Sequence, residues 1–538
     1  MKKSVLLALT LYLLVSSFAF GAGGDMGIGT EPFTDGSESY PFLIEDWADF
    51  DVFANPANGA TYWANSVHTK LMADIDLDPV IPERQTYPGA VIASIGSFSG
   101  VFNGNDHTIS NMTISANIRD YIGLFGKIEG PNAQVKNLRV EYVNIFINSF
   151  SNWIGGLCGY NQDGTIDNCY STGSISASDI HAASSAYGGL CGYNKGGTVS
   201  NSYSTCSISG GDGSYYLGGL CGCNFEGTIR DCHATGAVNG YANESINIGG
   251  FCGYNYKGEI INCYATGSVG SVQDDYLGGL CGYNRGDISN CYATGAVSGD
   301  DWLGGLCGGV SEGSISNCYA TGAVSGGYNC FILGGLCGDL SRTSTISDSY
   351  ATGSVTGGDG AENLGGLCGR SISTDSFISN CYSTGWINGG DNSMNLAGLC
   401  GYYGSGNISN CFWDMETSGT ILGLNLVPGY PGTVTNVVFK TTTQMQTVGT
   451  FSGSGWDFVS TWWINEGKDY PKLAWQPFGD LNNDSHVNLY DFAIMSATWQ
   501  ASNGDGNYNS VCELSGDTII DVADLAELTG MWLAGPSW

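Results

Sequence analysis

The chain has 538 residues, a net charge of −33 and only 17 Lys and Arg. A nucleic-acid binder needs clustered cations to meet a phosphate backbone, so that class is excluded. Glycine is abundant at 84 residues and proline scarce at 12, which points to tight turns at a regular interval rather than a disordered linker.

Met1-Lys2-Lys3 opens the chain, and residues 5–15 form an uncharged, largely apolar run that gives way to small residues. This is the pattern of an export signal, assigned to residues 1–21. The run is shorter than the ~20 apolar residues a membrane span takes, and no later segment supplies one. The expectation is a secreted or cell-surface protein that is not an integral membrane protein.

A repeat follows. Gly156-Leu157-Cys158-Gly159 returns at Cys191, Cys221, Cys252, Cys281, Cys307, Cys337, Cys368 and Cys400, in steps of 26 to 33 residues, with an earlier degenerate copy at Gly123-Leu124-Phe125-Gly126. A second run trails each copy, as in Ile166-Asp167-Asn168-Cys169-Tyr170-Ser171-Thr172-Gly173. Both runs read as strands between Gly, Asn and Asp turns. A unit this small cannot bury its own apolar face, so neighbours must stack. Alternation puts Cys169, Ser171, Gly173 and Ile175 inward and Tyr170, Thr172 and Ser174 outward. Asn168, Asn201, Asn262, Asn290, Asn317, Asn380 and Asn410 share one repeat position, where stacked amides can bond from coil to coil.

These residues resemble the GLUG motif, named for its Gly-Leu-x-Gly core, over residues 121–411. The resemblance implies an all-β fold, a right-handed parallel β-helix of the pectate-lyase-like kind. Residues 22–120 resemble the usual leader of such arrays, expected to hold the amino-terminal cap and first coils. Residues 412–477, with Gly455-Trp456-Asp457-Phe458 and Trp462-Trp463-Ile464, resemble the usual close of an array. They are expected to cap its open end.

Twenty cysteines in an exported chain admit two readings, a disulfide framework or a reduced buried ladder. Ser202 and Ser349 replace the second cysteine of two copies while Cys191 and Cys337 remain, which favours the ladder.

The last module, residues 478–538, changes character: residues 479–538 hold nine carboxylates and no Lys or Arg. Asp480, Asn482, Asp484, Asn488 and Asp491 fall at positions 1, 3, 5, 9 and 12 of a loop, with His486 offering its backbone carbonyl at position 7. Calcium, a hard cation, needs six or more oxygens around a tight turn, and this is EF-hand-like spacing. Glu513, Ser515, Asp517, Ile519, Asp521 and Asp524 repeat it. Asp at position 12 departs from the usual Glu. Each loop runs into an apolar helical segment. The pair resembles a type I dockerin, a small α-helical module, which implies two calcium ions and a cohesin-type partner. Loop positions 10 and 11, Leu489-Tyr490 and Val522-Ala523, differ between the halves, which argues against symmetric two-way docking.

The sequence carries no recognisable active-site motif. Asp274-Asp275 and Asp300-Asp301 are the closest acid pairs and read as solvated turn residues. The five histidines are scattered. Tyr170, Tyr203, Tyr264, Tyr292, Tyr319, Tyr350 and Tyr382 share one repeat position and are expected to form an outward row able to stack on sugar rings. The expected function is non-catalytic binding or scaffolding, with polysaccharide as a candidate ligand. The alternative is a polysaccharide-degrading enzyme, a glycoside hydrolase or lyase, of a dockerin-borne assembly.

Overall fold

The computed structural model describes residues 34–117, 119–178, 186–241, 247–271, 276–427, 432–477, 479–481, 487–502, 509, 512, 514 and 519–530. The export-signal expectation lies outside these residues. Among them, no helix is long and apolar enough to cross a membrane.

The repeats build a parallel β-solenoid. Every strand of the main sheet pairs in parallel with its equivalent one coil on, so like residues stand over like. Cys158 pairs with Cys191, Cys191 with Cys221, and the column continues to Cys400. Ile166, Val199, Ile229 and Ile260 form a second column that ends at Ile408 and Val434. Of the inward set predicted from alternation, Cys169, Ser171 and Ile175 are buried, while Gly173 is half-buried, with a φ of 130°, where the register shifts against the neighbouring coil.

The motif glycines are set by close approach of backbones. A Cβ on Gly278 would lie 1.9 Å from the Cys281 carbonyl oxygen, and one on Gly282 would lie 2.5 Å from the Ile248 nitrogen in the previous coil. No side chain fits either place. The twenty cysteines are all free and all buried. Burial pushes the Cys169 thiol up to about 12 and the Cys206 thiol to about 11.

Asparagine is used twice. The anticipated set sits at the coil corners in the left-handed region, with φ from 48° at Asn201 to 54° at Asn262. There Asn168 donates to Asn137 at 2.8 Å and Asn290 to Asn262 at 3.1 Å. A second column, not anticipated, lies inside the solenoid. Asn161, Asn194, Asn224, Asn255 and Asn284 are fully buried. Each of the first four donates Nδ2 to the next one's Oδ1 at 2.8 or 2.9 Å. Burying an amide is costly unless both its ends are bonded, and stacking identical residues meets that need inside the column, leaving only the Asn161 Oδ1 at its first end without a hydrogen bond.

The helix Trp47–Ala54 seals the amino end, with Phe50 and Phe53 fully buried. The carboxy end differs from expectation. Gly432–Lys440 adds one more coil on Gly406–Asp414. Residues 441–477 then leave the end and run back along one side of the solenoid. There they form a separate apolar cluster, including Met445, Phe451, Trp456, Trp462 and Leu473, against the tyrosine row.

Candidate functional site

The tyrosine row is a continuous stack. Centroids are 4.6 Å apart from Tyr170 to Tyr203, 4.7 Å from Tyr203 to His233 and again from His233 to Tyr264, and 4.8 Å from Tyr264 to Tyr292. Tyr319, Tyr350 and Tyr382 continue it at 5.0, 5.0 and 4.8 Å, with planes within 5°. These spacings are one strand separation, so the stack follows directly from parallel register.

The row points out of its coil, but more than half of it does not reach solvent. Tyr292, Tyr319, Tyr350 and Tyr382 are buried under residues 441–477, which corrects the expectation of an open row along its whole length. Trp475 lies 6.2 Å from Tyr292 and 5.7 Å from Tyr319, both near parallel. The Tyr382 hydroxyl donates to the Pro471 carbonyl at 2.6 Å, and the Gln476 side-chain amide bonds the Tyr350 hydroxyl at 2.9 Å. Burial holds both phenols well above their ordinary range. Tyr170 and Tyr203 stay half-buried beyond the cover, and Tyr264, also half-buried, packs against the covered cluster. Their ring faces are taken by neighbours in the stack, so they offer edges and hydroxyls. The Tyr170 hydroxyl bonds Glu141 at 2.7 Å.

A second aromatic strip was not anticipated. It runs on the face that carries the residue two places after each motif cysteine. Tyr160 and Tyr193 stack at 5.2 Å and 5°, whereas Trp153 meets Tyr160 at 5.2 Å and 71°. Farther along, Tyr216 stacks on Tyr254 and Tyr276 on Trp302, both at 5.1 Å. All seven are half-buried or near it. Cations are interleaved: Lys127 lies over Tyr160 at 5.7 Å and Arg285 over Tyr256 at 5.2 Å. Acids offset them, Lys127 with Glu129 at 2.9 Å and Arg285 and Arg342 both with Glu312. The recurrent Gly-Tyr-Asn after the cysteine was the available signal.

A cleft of about 370 Å³ lies between the amino-terminal helix and the first coils, lined by Trp47, Asp51, Gln85, Tyr87, Arg119 and Asp120 among others. Burial pushes the Tyr87 phenol up to about 12. Of the acid pairs, Asp274-Asp275 lies outside the described residues. Asp301 accepts the Phe331 N–H of the next coil at 2.6 Å, a structural contact.

In the carboxy-terminal stretch, Asn482, Asp484, His486, Glu513, Ser515 and Asp517 lie outside the described residues. The remaining members show one pattern twice. Asp491 accepts the N–H of Leu481 at 2.7 Å and of Asn488 at 2.8 Å. Asp524 accepts the N–H of Leu514 at 2.5 Å and of Asp521 at 2.8 Å. In each loop the position-12 carboxylate thus ties positions 2 and 9 together, and each opens a helix, Leu489–Ala497 or Val522–Gly530. Asp480, Asp491 and Asp524 are buried, while the Ile519 and Val522 side chains are exposed. Among the described residues, no three His, Cys, Asp or Glu side chains converge.

The fold and its columns define a β-solenoid repeat protein. The GLUG motif matches at residues 154–176, 213–239, 244–270, 275–298 and 303–325, so the chain carries GLUG repeats as its structural unit. Over 134 residues it is 32% identical to a "Putative Gly-rich membrane protein" of Evansella cellulosilytica, covering 25% of this chain and 15% of that one. Over 150 residues it is 28% identical to halomucin of Haloquadratum walsbyi, covering 27% of this chain and 2% of that one. The chain therefore spans a small part of either relative. Among solved structures, the mannuronan C-5 epimerase AlgE4 A-module of Azotobacter vinelandii covers 74% of this chain and 94% of its own at 10% identity, with a TM-score of 0.29. That score carries no functional argument.

Proposed function

We propose that this chain is a secreted or cell-surface, non-catalytic binding protein. The solenoid is its rigid shaft, and residues 478–538 form a dockerin-type module that folds around two calcium ions and docks to a cohesin-type partner. The observation that carries this reading is the twin geometry of Asp491 and Asp524. Two loops of unlike sequence place the same buried carboxylate at the same position with the same backbone donors. Nine carboxylates without a Lys or Arg in residues 479–538 favour a divalent cation as the offsetting charge. Asp480, Asn482, Asp484, His486, Asn488 and Asp491 would hold the first ion. Glu513, Ser515, Asp517, Ile519, Asp521 and Asp524 would hold the second.

Polysaccharide is the ligand class the solenoid suits. Its contact region would be the half-buried Tyr170, Tyr203 and Tyr264 together with the strip from Trp153 to Trp302. Phenol edges and hydroxyls there are set at one strand separation along the axis, able to bond successive sugars of an extended chain.

The test is calorimetric titration of the full chain with calcium, followed by capture on a panel of cohesins with and without chelator. Two-site calcium binding and calcium-dependent capture are expected. Absence of calcium binding would overturn the docking reading. Release of reducing or unsaturated sugar from a pectin and alginate panel would replace the binding reading with an enzymatic one.

A further inference from the structure

The two ends of the solenoid are finished differently. At the amino end, Phe53 of the helix Trp47–Ala54 packs on Phe98 at 6.3 Å and Phe102 at 5.4 Å, and the core is closed. At the other end the core columns, among the described residues, stop at Leu424–Leu426 and Gly432–Lys440. Val434 stands over Ile408, Phe439 over Trp413 and Leu426 over Tyr403. Ile408, Trp413 and Tyr403 are 1%, 4% and 3% exposed, whereas Val434, Phe439 and Leu426 are 42%, 44% and 63% exposed. Ile421 and Leu422 extend the apolar patch. Gly432–Lys440 pairs with Gly406–Asp414 on one side and with no strand on the other among the described residues.

The chain's own next segment does not close this end. Residues 441–477 run back along the tyrosine row, and Gln476 reaches Tyr350. That coil lies three strand separations from the edge, about 14 Å. The carboxy-terminal module therefore starts well away from it.

We propose that the open end is covered by the same end of a second copy, forming a twofold, edge-to-edge dimer of solenoids. An exposed row of strand N–H and C=O groups is met by another strand, and natural edges are otherwise blunted by charge or proline. Here residues 432–439 contain neither, and Lys440 comes only at the strand's end. Charge selects this face for a self-contact. Two chains of −33 repel, yet residues 417–440 contain no Asp or Glu, so this end meets its copy without acid facing acid. The sealed amino end decides the stoichiometry. Head-to-tail growth would need two open ends, whereas one open end permits only an isologous pair, which is closed. Val434, Leu426 and Phe439 of the two copies would bury one another as the next coil would.

The test is analytical ultracentrifugation of the full chain at low and high micromolar concentration in chelator, which silences any calcium-dependent docking. A species of twice the chain mass is expected. The double variant Leu426→Lys, Val434→Lys should be monomeric with an unchanged circular dichroism spectrum, because both side chains are exposed in the single copy. A wild type that stays monomeric, or a dimer that survives both lysines, would overturn the proposal. Amide exchange of residues 432–440 in the wild type gives a reading independent of the variant's folding. Protection that grows with protein concentration supports the dimer, and protection independent of concentration would place another part of the same chain there instead.

Discussion

The indole N–H of Trp475 donates to the backbone carbonyl of Asn317 at 3.2 Å, across 158 residues of sequence. Asn317 is a coil-corner residue in the left-handed region, two places before Tyr319. The contact clamps the far end of residues 441–477 onto the tyrosine row and makes that row part of a second core.

Removing the centre of that core should free the cover without unwinding the solenoid. Trp462 is buried and lies within 6.3 Å of Tyr350 and 6.1 Å of Tyr382. Trp462→Ala should weaken the cover by about 3–5 kcal/mol, the usual cost of deleting a buried aromatic. Limited proteolysis should then cut within residues 441–477 while the fragment before them stays resistant. Equal resistance in wild type and variant would show that the cover does not depend on this side chain.

The same core should open in alkali. Tyr350 and Tyr382 have phenol pKa values raised by burial, so the folded protein favours the neutral ring. For an acid raised in this way, the stability is complete below the unfolded value of about 10 and is lost as pH climbs from there toward the folded value. Tyrosinate absorbance at 295 nm should rise late for these rings, together with a change in tryptophan emission as the cover lifts. Ionisation of all tyrosines near pH 10 without that change would contradict the burial.

Much of this was readable in the chain. Period-two alternation placed Cys169, Ser171 and Ile175 inside because each coil is built from local strands. Alternation failed one step away. Cys158 and Asn161 both point inward although they are three apart, because the backbone skips a place at Gly159, and this hid the inner asparagine column. The cover could not be read at all. Whether Tyr319 meets water depends on Trp475, and no local pattern reports a contact across 156 residues of chain.

That inner column predicts its own penalty. Asn224 accepts from Asn194 at 2.9 Å and donates to Asn255 at 2.9 Å and to the Gly227 carbonyl at 3.0 Å. Asn224→Ala leaves a buried donor above and a buried acceptor below. Each costs about 1–3 kcal/mol, so the loss should be about 2–6 kcal/mol. Hydrogen exchange should rise in the flanking coils first, since a stacked array fails locally. Unchanged protection at Asn194 and Asn255 would show that the column contributes little.

The cysteine columns should be inert in the native state. All twenty thiols are buried, so a reagent in solution does not reach them in the native state. Alkylation at pH 8 should modify none of them in the folded protein and all twenty after denaturation. An intact mass showing eight or more disulfides would sink the reduced-ladder account.

The sharpest stability contrast lies between two glycines. A Cβ at Gly278 would meet the carbonyl oxygen of Cys281 at 1.9 Å, the carbonyl carbon at 2.7 Å and the nitrogen of Gly308 in the next coil at 2.8 Å. All three are backbone atoms, so no side chain can swing aside, and relief requires the coils to part. At Gly455 a Cβ meets nothing within 4 Å, and the only cost is its φ of +84°. Gly278→Ala should therefore cost about 3 kcal/mol or more, against about 1–2 kcal/mol for Gly455→Ala. Thermal melts rank the two, and amide exchange locates the damage, which for Gly278→Ala should centre on the Cys281 and Cys307 strands. If the two variants melt together, close packing of backbones is not what fixes glycine in the repeat.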